Sequence, residues 1–338
     1  MKKRTQFIKK NSKILLLGIL IGSIISGIGT YAAVTLASSS VSYDNTTSGA
    51  TATDVKGAID ELYSLANNKE CKAGYTKSGG EYTYTCSKPA PTPVTFTDDS
   101  WDTIIANIQT GNTSAYTVGS TKTVDLGTLG THTLRVANNS TPAECSTAGF
   151  SQTACGFVLE FADIITTHIM NPYNHESNPE IGHGNKGGWE YSEMRTYVNT
   201  DIYNALPTSL KNAIINTTVV SGHGPNDTTN FTTTDKLYLL STHEVWEDVD
   251  GDTRFGPDHY DTAYNNTRQL DYYKNNNVTD SSYSGAIKQN NGSNSFWWLR
   301  SAYSSVYNSF CNVDDTGSWR YTTDSHGTHG VAPAFRIS

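Results

Sequence analysis

A basic segment followed by an uncharged, mostly apolar run constrains the fold of this chain more than any other feature. Six of the 24 basic residues lie within residues 1–13, and the 24 residues 14–37 carry no charge. A membrane-spanning helix needs about 20 apolar residues, whereas the apolar core of a signal peptide needs roughly 7–15. Residues 1–37 therefore fit both a membrane anchor and a signal peptide cleaved after Ala33 or Ala37. Because positive charge stays on the cytoplasmic side, the rest of the chain is expected outside the cell.

The charge of the remaining chain excludes one broad class of partner. After residue 13, 18 basic residues face 32 acidic ones, which leaves a net charge of −14. Nucleic-acid binding requires a basic surface for the phosphate backbone. Only 17% of all residues are charged, and tyrosine, at 20 residues, is abundant. We therefore expect an exported protein, displayed at the cell surface or secreted, that does not bind nucleic acid.

The cysteine spacing agrees with export. The five cysteines are Cys71, Cys86, Cys145, Cys155 and Cys311. The first two bracket a predicted β-hairpin that turns at Gly79-Gly80, and the next two bracket a short polar loop. In an oxidising compartment this spacing predicts two local disulfides, Cys71–Cys86 and Cys145–Cys155. For Cys311 three interpretations stand: a free thiol, a core side chain or an alternative disulfide partner.

Residues 38–94 are expected to form a stalk. Apolar residues recur at helical spacing within residues 53–66, the hairpin follows, and the proline-rich linker Ser87–Val94 ends the segment. The helix is interpreted either as a stalk segment, like those of exported bacterial proteins and phage fibres, or as an ordinary packing helix. A stalk would suit a homo-oligomer. The linker places a domain boundary before residue 95.

Residues 95–338 are expected to form an α+β domain with irregular loops. A helix is predicted at 98–109, with N-caps among Asp98–Ser100 and an apolar face, and further helices at 189–198 and 208–214. Strands are predicted at residues 122–125, 132–137, 157–161, 216–220, 236–240, 296–299, 310–313 and 331–337.

The most unusual composition lies between two apolar segments near the C-terminus, Phe296–Ser301 and Gly330–Ile337, which are expected to be paired, buried strands. Of the 27 residues Tyr303–His329, 19 are Ser, Thr, Tyr, Asp, Asn or His, and none is Lys, Glu, Gln, Met, Leu, Ile or Ala. Tyrosine with Ser and Asn is typical of antibody binding loops. We predict a ligand-binding surface formed by Tyr303, Ser304, Ser305, Tyr307, Asn308, Asn312, Asp314, Asp315, Ser318, Trp319, Arg320, Tyr321, Thr323, Asp324, His326 and His329.

Four segments carry a resemblance to an uncharacterised domain family of exported bacterial proteins without an established activity. They are GGWEYSEMRTYVNTDIYNALP (187–207), KLYLLSTHEVW (236–246), FWWLRSA (296–302) and GVAPAFRIS (330–338). The C-terminal part also resembles C-type-lectin-like domains of the formylglycine-generating-enzyme type. The resemblance implies a C-type-lectin-like fold behind the N-terminal helix and stalk. The ligand of the predicted binding surface is expected to be an external protein or glycan, with a phage surface also open.

Some members of that broad group are diversified by retroelements. These systems mutate template adenines, and variable positions descend largely from AAY codons. Such codons readily become Tyr, Ser, Asp, His, Thr, Asn, Gly or Arg. The composition of residues 303–329 is similar to that output, which implies a hypervariable region.

An acidic segment offers a calcium site. Asp248, Asp250 and Asp252 alternate along the chain, so their carboxylates can converge on Ca²⁺. The segment departs from the EF-hand loop because Gly251 is fourth rather than sixth and the twelfth position is His259. An acidic, solvated turn is the alternative interpretation, and no other cofactor is indicated.

Catalysis is not indicated by any recognisable motif. The sequence contains no HExxH, GxSxG or P-loop. No cysteine pair around Cys311 matches the copper-binding thiols of formylglycine-generating enzymes, so their chemistry does not carry over. We predict a surface-displayed binding or adhesion protein rather than an enzyme, with an extracellular enzyme of that fold or a structural envelope protein as alternatives.

Overall fold

The computed structural model describes residues 54–60, 76–79, 84–87, 89, 91–172, 184–225, 227–249 and 256–338. The chain divides into two compact units, Met1–Pro89 and Ala90–Ser338, and the division falls inside the proline-rich segment. Within the described residues, no helix is both long and apolar enough to cross a bilayer. The apolar run 14–37 lies outside these residues.

In the first unit, residues 55–60 are helical and two strands form a hairpin. Strand β1 (Thr76–Gly79) is antiparallel to β2 (Tyr84–Ser87), with Gly79 opposite Tyr84. The predicted hairpin is present, but its turn does not include Gly79 as expected, because Gly79 still pairs with Tyr84 in the strand ladder. Cys71 lies outside the described residues, so the pair Cys71–Cys86 stays a prediction.

The second unit is an α+β fold, as expected. Its strands are β3 (Thr121–Asp125), β4 (Thr131–Ser140), β5 (Gly156–Phe161), β6 (Thr166–His168), β7 (Thr217–Gly222), β8 (Asn230–Asp235), β9 (Lys288–Asn290), β10 (Ser293–Ser295), β11 (Trp297–Ala302), β12 (Ser309–Val313), β13 (Trp319–Asp324), β14 (His329–Val331) and β15 (Ala334–Arg336). Its helices are α1 (Trp101–Gln109), α2 (Gly188–Tyr191), α3 (Glu193–Tyr197), α4 (Tyr203–Ala205), α5 (Thr208–Ala213), α6 (Thr242–Val245), α7 (Pro257–Tyr260) and α8 (Asp271–Asn275).

Two sheets organise this unit and are joined by the C-terminal strands. A four-stranded antiparallel sheet has the order β15-β5-β4-β3, and a five-stranded sheet has the order β13-β12-β11-β14-β6. Trp297 pairs with Gly330 in parallel register, so the two apolar C-terminal segments do meet as expected. The predicted strand 331–337 is interrupted at Pro333, which lacks an N–H, and the chain passes there from one sheet to the other.

Helix α1 follows its sequence signals closely. The Ser100 hydroxyl accepts a hydrogen bond from the Thr103 N–H at 3.2 Å, and Asp102 lies in the first turn. Ile104 is buried, while Trp101 and Ile105 are partly buried against the same core. A capped N-terminus with one apolar stripe is sufficient to place a helix of this length on a domain surface.

Two predicted elements differ from the structure. Residues 236–240 are not a strand, because their pairing is limited to a single bridge between Tyr238 and Ala334. The predicted helix 189–198 is broken at Ser192, whose extended backbone ends α2 and whose hydroxyl caps α3. A π-helical turn, Val198–Ile202, then follows α3.

The cysteines of the second unit behave as the sequence indicates. Cys145 and Cys155 form a disulfide that closes a ten-residue separation, which confirms the predicted pair. Cys311 lies in β12 as a buried free thiol, and burial raises the pKa of that thiol well above its usual value. It is therefore a core side chain.

Buried ion pairs hold the core together. The Arg300 guanidinium donates to both carboxylate oxygens of Glu244 at 2.6 Å, and neither side chain is exposed. Glu160 accepts from Arg135 and from Lys288 at 2.8 and 2.9 Å. Burial alone would raise the pKa of Glu160, but the two cations outweigh it and lower the pKa to about 2. Both carboxylates are thus held ionised inside the protein.

Candidate functional site

A cleft of about 320 Å³ opens beside the C-terminal strands. It is lined by Pro172, Gly184, Tyr307, Asn308, Asp324, Ser325 and His326. Four of these residues, Tyr307, Asn308, Asp324 and His326, belong to the surface predicted from composition. The remaining three come from elsewhere in the domain or were not singled out. The cleft is therefore the place where the predicted recognition residues meet.

The polar side chains of the cleft are linked to one another through Asp324. Its Oδ1 lies 2.6 Å from the Nδ1 of His326, and its Oδ2 accepts from the Asn308 amide at 3.2 Å. The side chains of Asp324 and His326 are 39% and 41% exposed. A carboxylate fixed by two neighbours yet open to solvent can accept hydrogen bonds from a ligand.

A buried asparagine fixes the loop that carries Tyr307. The Nδ2 of Asn185 donates to the carbonyls of Tyr303, Val306 and Ser309 at 2.9, 2.9 and 2.6 Å. Its backbone N–H donates to the carbonyl of Tyr307 at 2.8 Å. One side chain thereby orders the loop between β11 and β12, and Tyr307 remains 58% exposed at the tip of this loop.

Gly184 brings this asparagine to the loop. Its φ of +103° lies in a region that favours glycine. A Cβ there would stand 2.2 Å from the Asn308 Cα and 2.3 Å from the Tyr307 carbonyl oxygen. The Gly184 carbonyl also accepts from the buried Asn171 amide at 2.7 Å. Only glycine permits this approach of two backbone segments.

The base of the cleft is formed by backbone hydrogen bonds around Ser325. Its carbonyl accepts from the N–H groups of Met170 and Asn171, and its own N–H donates to the Asn308 carbonyl at 2.8 Å. These bonds join the segment that follows β6, the β11–β12 loop and the residue after β13. The cleft is therefore assembled from three distant chain segments.

The structure buries part of the predicted surface, and the expectation of exposure is wrong there. Tyr303 is 4% exposed and packs on Tyr260 with ring centroids 4.5 Å apart, while Asn312 and Asp314 are 0% and 2% exposed. Asn312 lies in β12 between two strands. Asp314 orders the β12–β13 turn by accepting from the N–H groups of Thr316 and Ser318. These three residues belong to the framework.

The other predicted residues lie outside the cleft lining. Ser305 and Asp315 are exposed, whereas Ser304, Ser318 and Trp319 are partly buried. The His329 ring contacts the rings of Phe296 and Trp298, and burial lowers the pKa of His329. For three further positions on β13 the structure describes the backbone alone: Arg320, Tyr321 and Thr323. Ligand binding by any of these residues stays a prediction.

The predicted calcium site is described only in part. Asp248 lies among the described residues, half-buried, and its backbone N–H donates to the Tyr264 hydroxyl at 2.9 Å. Asp250 and Asp252 lie outside them. Within the described part of the chain, no group of three His, Cys, Asp or Glu side chains is placed to hold a metal ion.

Sequence reasoning missed the residues that build the cleft from the other side. Asn171 and Asn185 are buried polar residues in loops, and the acceptors of their side-chain NH₂ groups are 13 to 124 positions away. Glycine recurs around Gly184, at positions 182, 187 and 188, and one use of glycine is in turns. A close approach of two backbones is the other use of glycine, and that signal could have pointed to this segment.

Comparison with known proteins gives one match. A family model described as a domain of unknown function (DUF6273) matches residues 163–338. No curated protein and no solved structure matches the chain significantly. The matched segment contains all of the described residues that line the cleft.

Proposed function

The chain belongs to the family described as a domain of unknown function (DUF6273), and on that premise we propose that it is an exported binding protein. It is displayed at the cell surface through residues 1–37 or secreted, with residues 38–94 as a stalk. The domain 95–338 offers its C-terminal surface to an external protein or glycan. Adhesion is the role that such a display serves.

One observation carries this proposal. The part of residues 303–329 that reaches solvent includes four side chains that share one cleft: Tyr307, Asn308, Asp324 and His326. Their backbones are fixed by buried neighbours, so the cleft is formed before a ligand arrives. Preformed clefts that combine an aromatic side chain with a few fixed polar groups are typical of binding sites.

A lectin-like fold and retroelement diversification belong to the same proposal. The resemblance of the C-terminal segments supports the lectin-like fold. Diversification is supported by the composition of residues 303–329 and by the division of that segment into buried framework and exposed positions. Diversification would be expected at Ser305, Tyr307, Asp315 and His326, because exposed positions tolerate exchange. A gene neighbourhood without a near-repeat template and a reverse transcriptase would contradict it.

The binding function can be tested on arrays of glycans and of extracellular proteins. The full chain is compared with a Tyr307→Ala, His326→Ala double variant, which removes the ring and the imidazole from the cleft. We expect a set of array signals that falls at least tenfold in the variant.

Tyr191→Ala is the matched control, because Tyr191 is another exposed tyrosine, at 42%, and does not line the cleft. It should keep the signals of the natural protein. Equal signals for all three proteins, or no signal for any of them, would contradict the proposed function.

A further inference from the structure

The charge of the cleft indicates the kind of group it accepts. Asp324 supplies a carboxylate, and no lysine or arginine is found among its lining residues in the described part of the chain. The sequence after residue 13 carries a net charge of −14. The electrostatic potential of a negatively charged protein raises the local concentration of cations and lowers that of anions. Phosphate, sulfate and carboxylate groups are disfavoured ligands here.

The carboxylate of Asp324 keeps capacity for a further donor. Its Oδ1 faces the Nδ1 of His326 at 2.6 Å and the His326 backbone N–H at 3.5 Å, and its Oδ2 accepts only the Asn308 amide among these contacts. A carboxylate offers about four lone-pair directions. Among the described residues, one direction on Oδ2 is thus open, and 39% exposure of the side chain lets a ligand reach it.

The exposed ring of Tyr307 supplies a second contact for a cation. An ammonium group is attracted to the face of a tyrosine ring within about 6 Å of its centre. The backbone of Tyr307 is held by Asn185, so the ring swings only about its own side-chain torsions. A charged partner and an aromatic face at one cleft are the two contacts that an ammonium group uses best.

We infer that this cleft binds a primary ammonium group, as carried by a lysine side chain or an amino sugar. This inference rests on the proposed function and names the ligand chemistry of the same site. A volume of about 320 Å³ lies at the lower end for ligand sites, so the cleft takes one side chain or one sugar ring.

Titration of the isotope-labelled full chain, followed by NMR, tests the inference. The probes are Nα-acetyl-lysine methylamide and glucosamine, each with a neutral counterpart: the norleucine analogue and glucose. For fragments of this size we expect a Kd on the order of 1 mM, with the neutral counterparts at least tenfold weaker. Asp324→Asn should weaken amine binding at least tenfold, and Tyr307→Ala should weaken it as well.

Two controls separate binding from folding. Tyr191→Ala should leave the titration unchanged, and the thermal midpoint of Asp324→Asn should match that of the natural protein. If Asp324→Asn lowers the thermal midpoint, amine binding by Tyr307→Ala decides whether the cleft binds amines. Tyr307 is mostly exposed, so its removal should not unfold the domain.

Each outcome bears on the inference. Binding of either amine with the stated dependence on Asp324 supports it, and the choice between lysine and glucosamine separates a protein partner from a glycan. If the neutral probes bind as tightly as the amines, or if Asp324→Asn binds the amines with unchanged affinity, the ammonium group is not the recognised ligand. The cleft would then still be a binding site. If no probe shifts the cleft resonances, the inference fails, and the arrays above decide independently whether the proposed function fails too.

Discussion

At the scale of single residues, the fold depends on charges that have no access to water. Arg300 lies in the middle of an apolar strand and donates to Glu244, to the Leu239 carbonyl and to the Ser221 hydroxyl. Burial alone would raise the pKa of Glu244, but the Arg300 charge outweighs it and lowers the pKa. The pair therefore stays ionised, and each member needs the other.

Removal of the Glu244 charge should be strongly destabilising. Glu244→Gln leaves Arg300 buried without its ion-pair partner, which costs about 3–5 kcal/mol of the free energy of unfolding. Urea denaturation followed by fluorescence measures this loss. Glu247→Gln is the control, since the Glu247 side chain is 54% exposed, and it should change stability by less than about 0.5 kcal/mol. Similar midpoints for both variants would show that the buried pair contributes little.

At the scale of elements, the cleft depends on a close crossing of two loops. Gly184 contacts the backbone of the β11–β12 loop, and Asn185 then donates to three carbonyls of that loop. No strand pairing among the described residues joins Gly184 or Asn185 to this loop, so the contact between the two segments depends on these hydrogen bonds and on the space that glycine leaves. The exposed face of Tyr307 follows from it.

Alanine at Gly184 should therefore disturb the cleft, whereas alanine at Gly111 should not. Both glycines have positive φ, but a Cβ at Gly111 meets no atom within 4 Å. We expect Gly111→Ala to cost about 1–2 kcal/mol through backbone strain alone. Gly184→Ala adds overpacking of about 1–3 kcal/mol and shifts the amide resonances of Tyr307 and Asn308. Equal costs for both variants would contradict the close crossing.

At the scale of the whole molecule, the segment matched by the family model begins later in the chain than the folded unit does. The match begins at residue 163, yet β15 pairs with β5, which ends at Phe161. Glu160 of β5 also provides the carboxylate for the buried Lys288. Strands before the matched segment thus complete the core of the matched segment.

Truncation tests this dependence. A chain from Ala90 to Ser338 should fold cooperatively, because it contains both sheets. A chain from Asp163 to Ser338 exposes the edge of β15 and leaves Lys288 buried without Glu160, so it should be insoluble or lack fixed tertiary structure. Near-ultraviolet circular dichroism and thermal unfolding compare the two. A cooperative transition in the shorter chain would show that the matched segment is sufficient.

Several features could be predicted because their causes are local. The cap at Ser100, the apolar stripe of α1, the disulfide Cys145–Cys155 and the apolar strand β11 all depend on residues close in sequence. One local signal was overlooked. Asn291-Gly292, with φ of +50° and +81°, forms the turn between β9 and β10, and Asn-Gly is a strong hairpin signal.

The sequence by itself determined that residues 303–329 are polar, aromatic and framed by two buried strands. Which of those residues meet solvent was decided only by tertiary structure. Asn312 and Asp314 are as polar as Asn308 and Asp324, yet the first two are buried and the last two line a cleft. The physical reason is that burial depends on which strand or loop covers a side chain. Adjacent strands of the sheet cover Asn312, whereas the distant residues Gly184 and Asn185 contact the loop that carries Asn308.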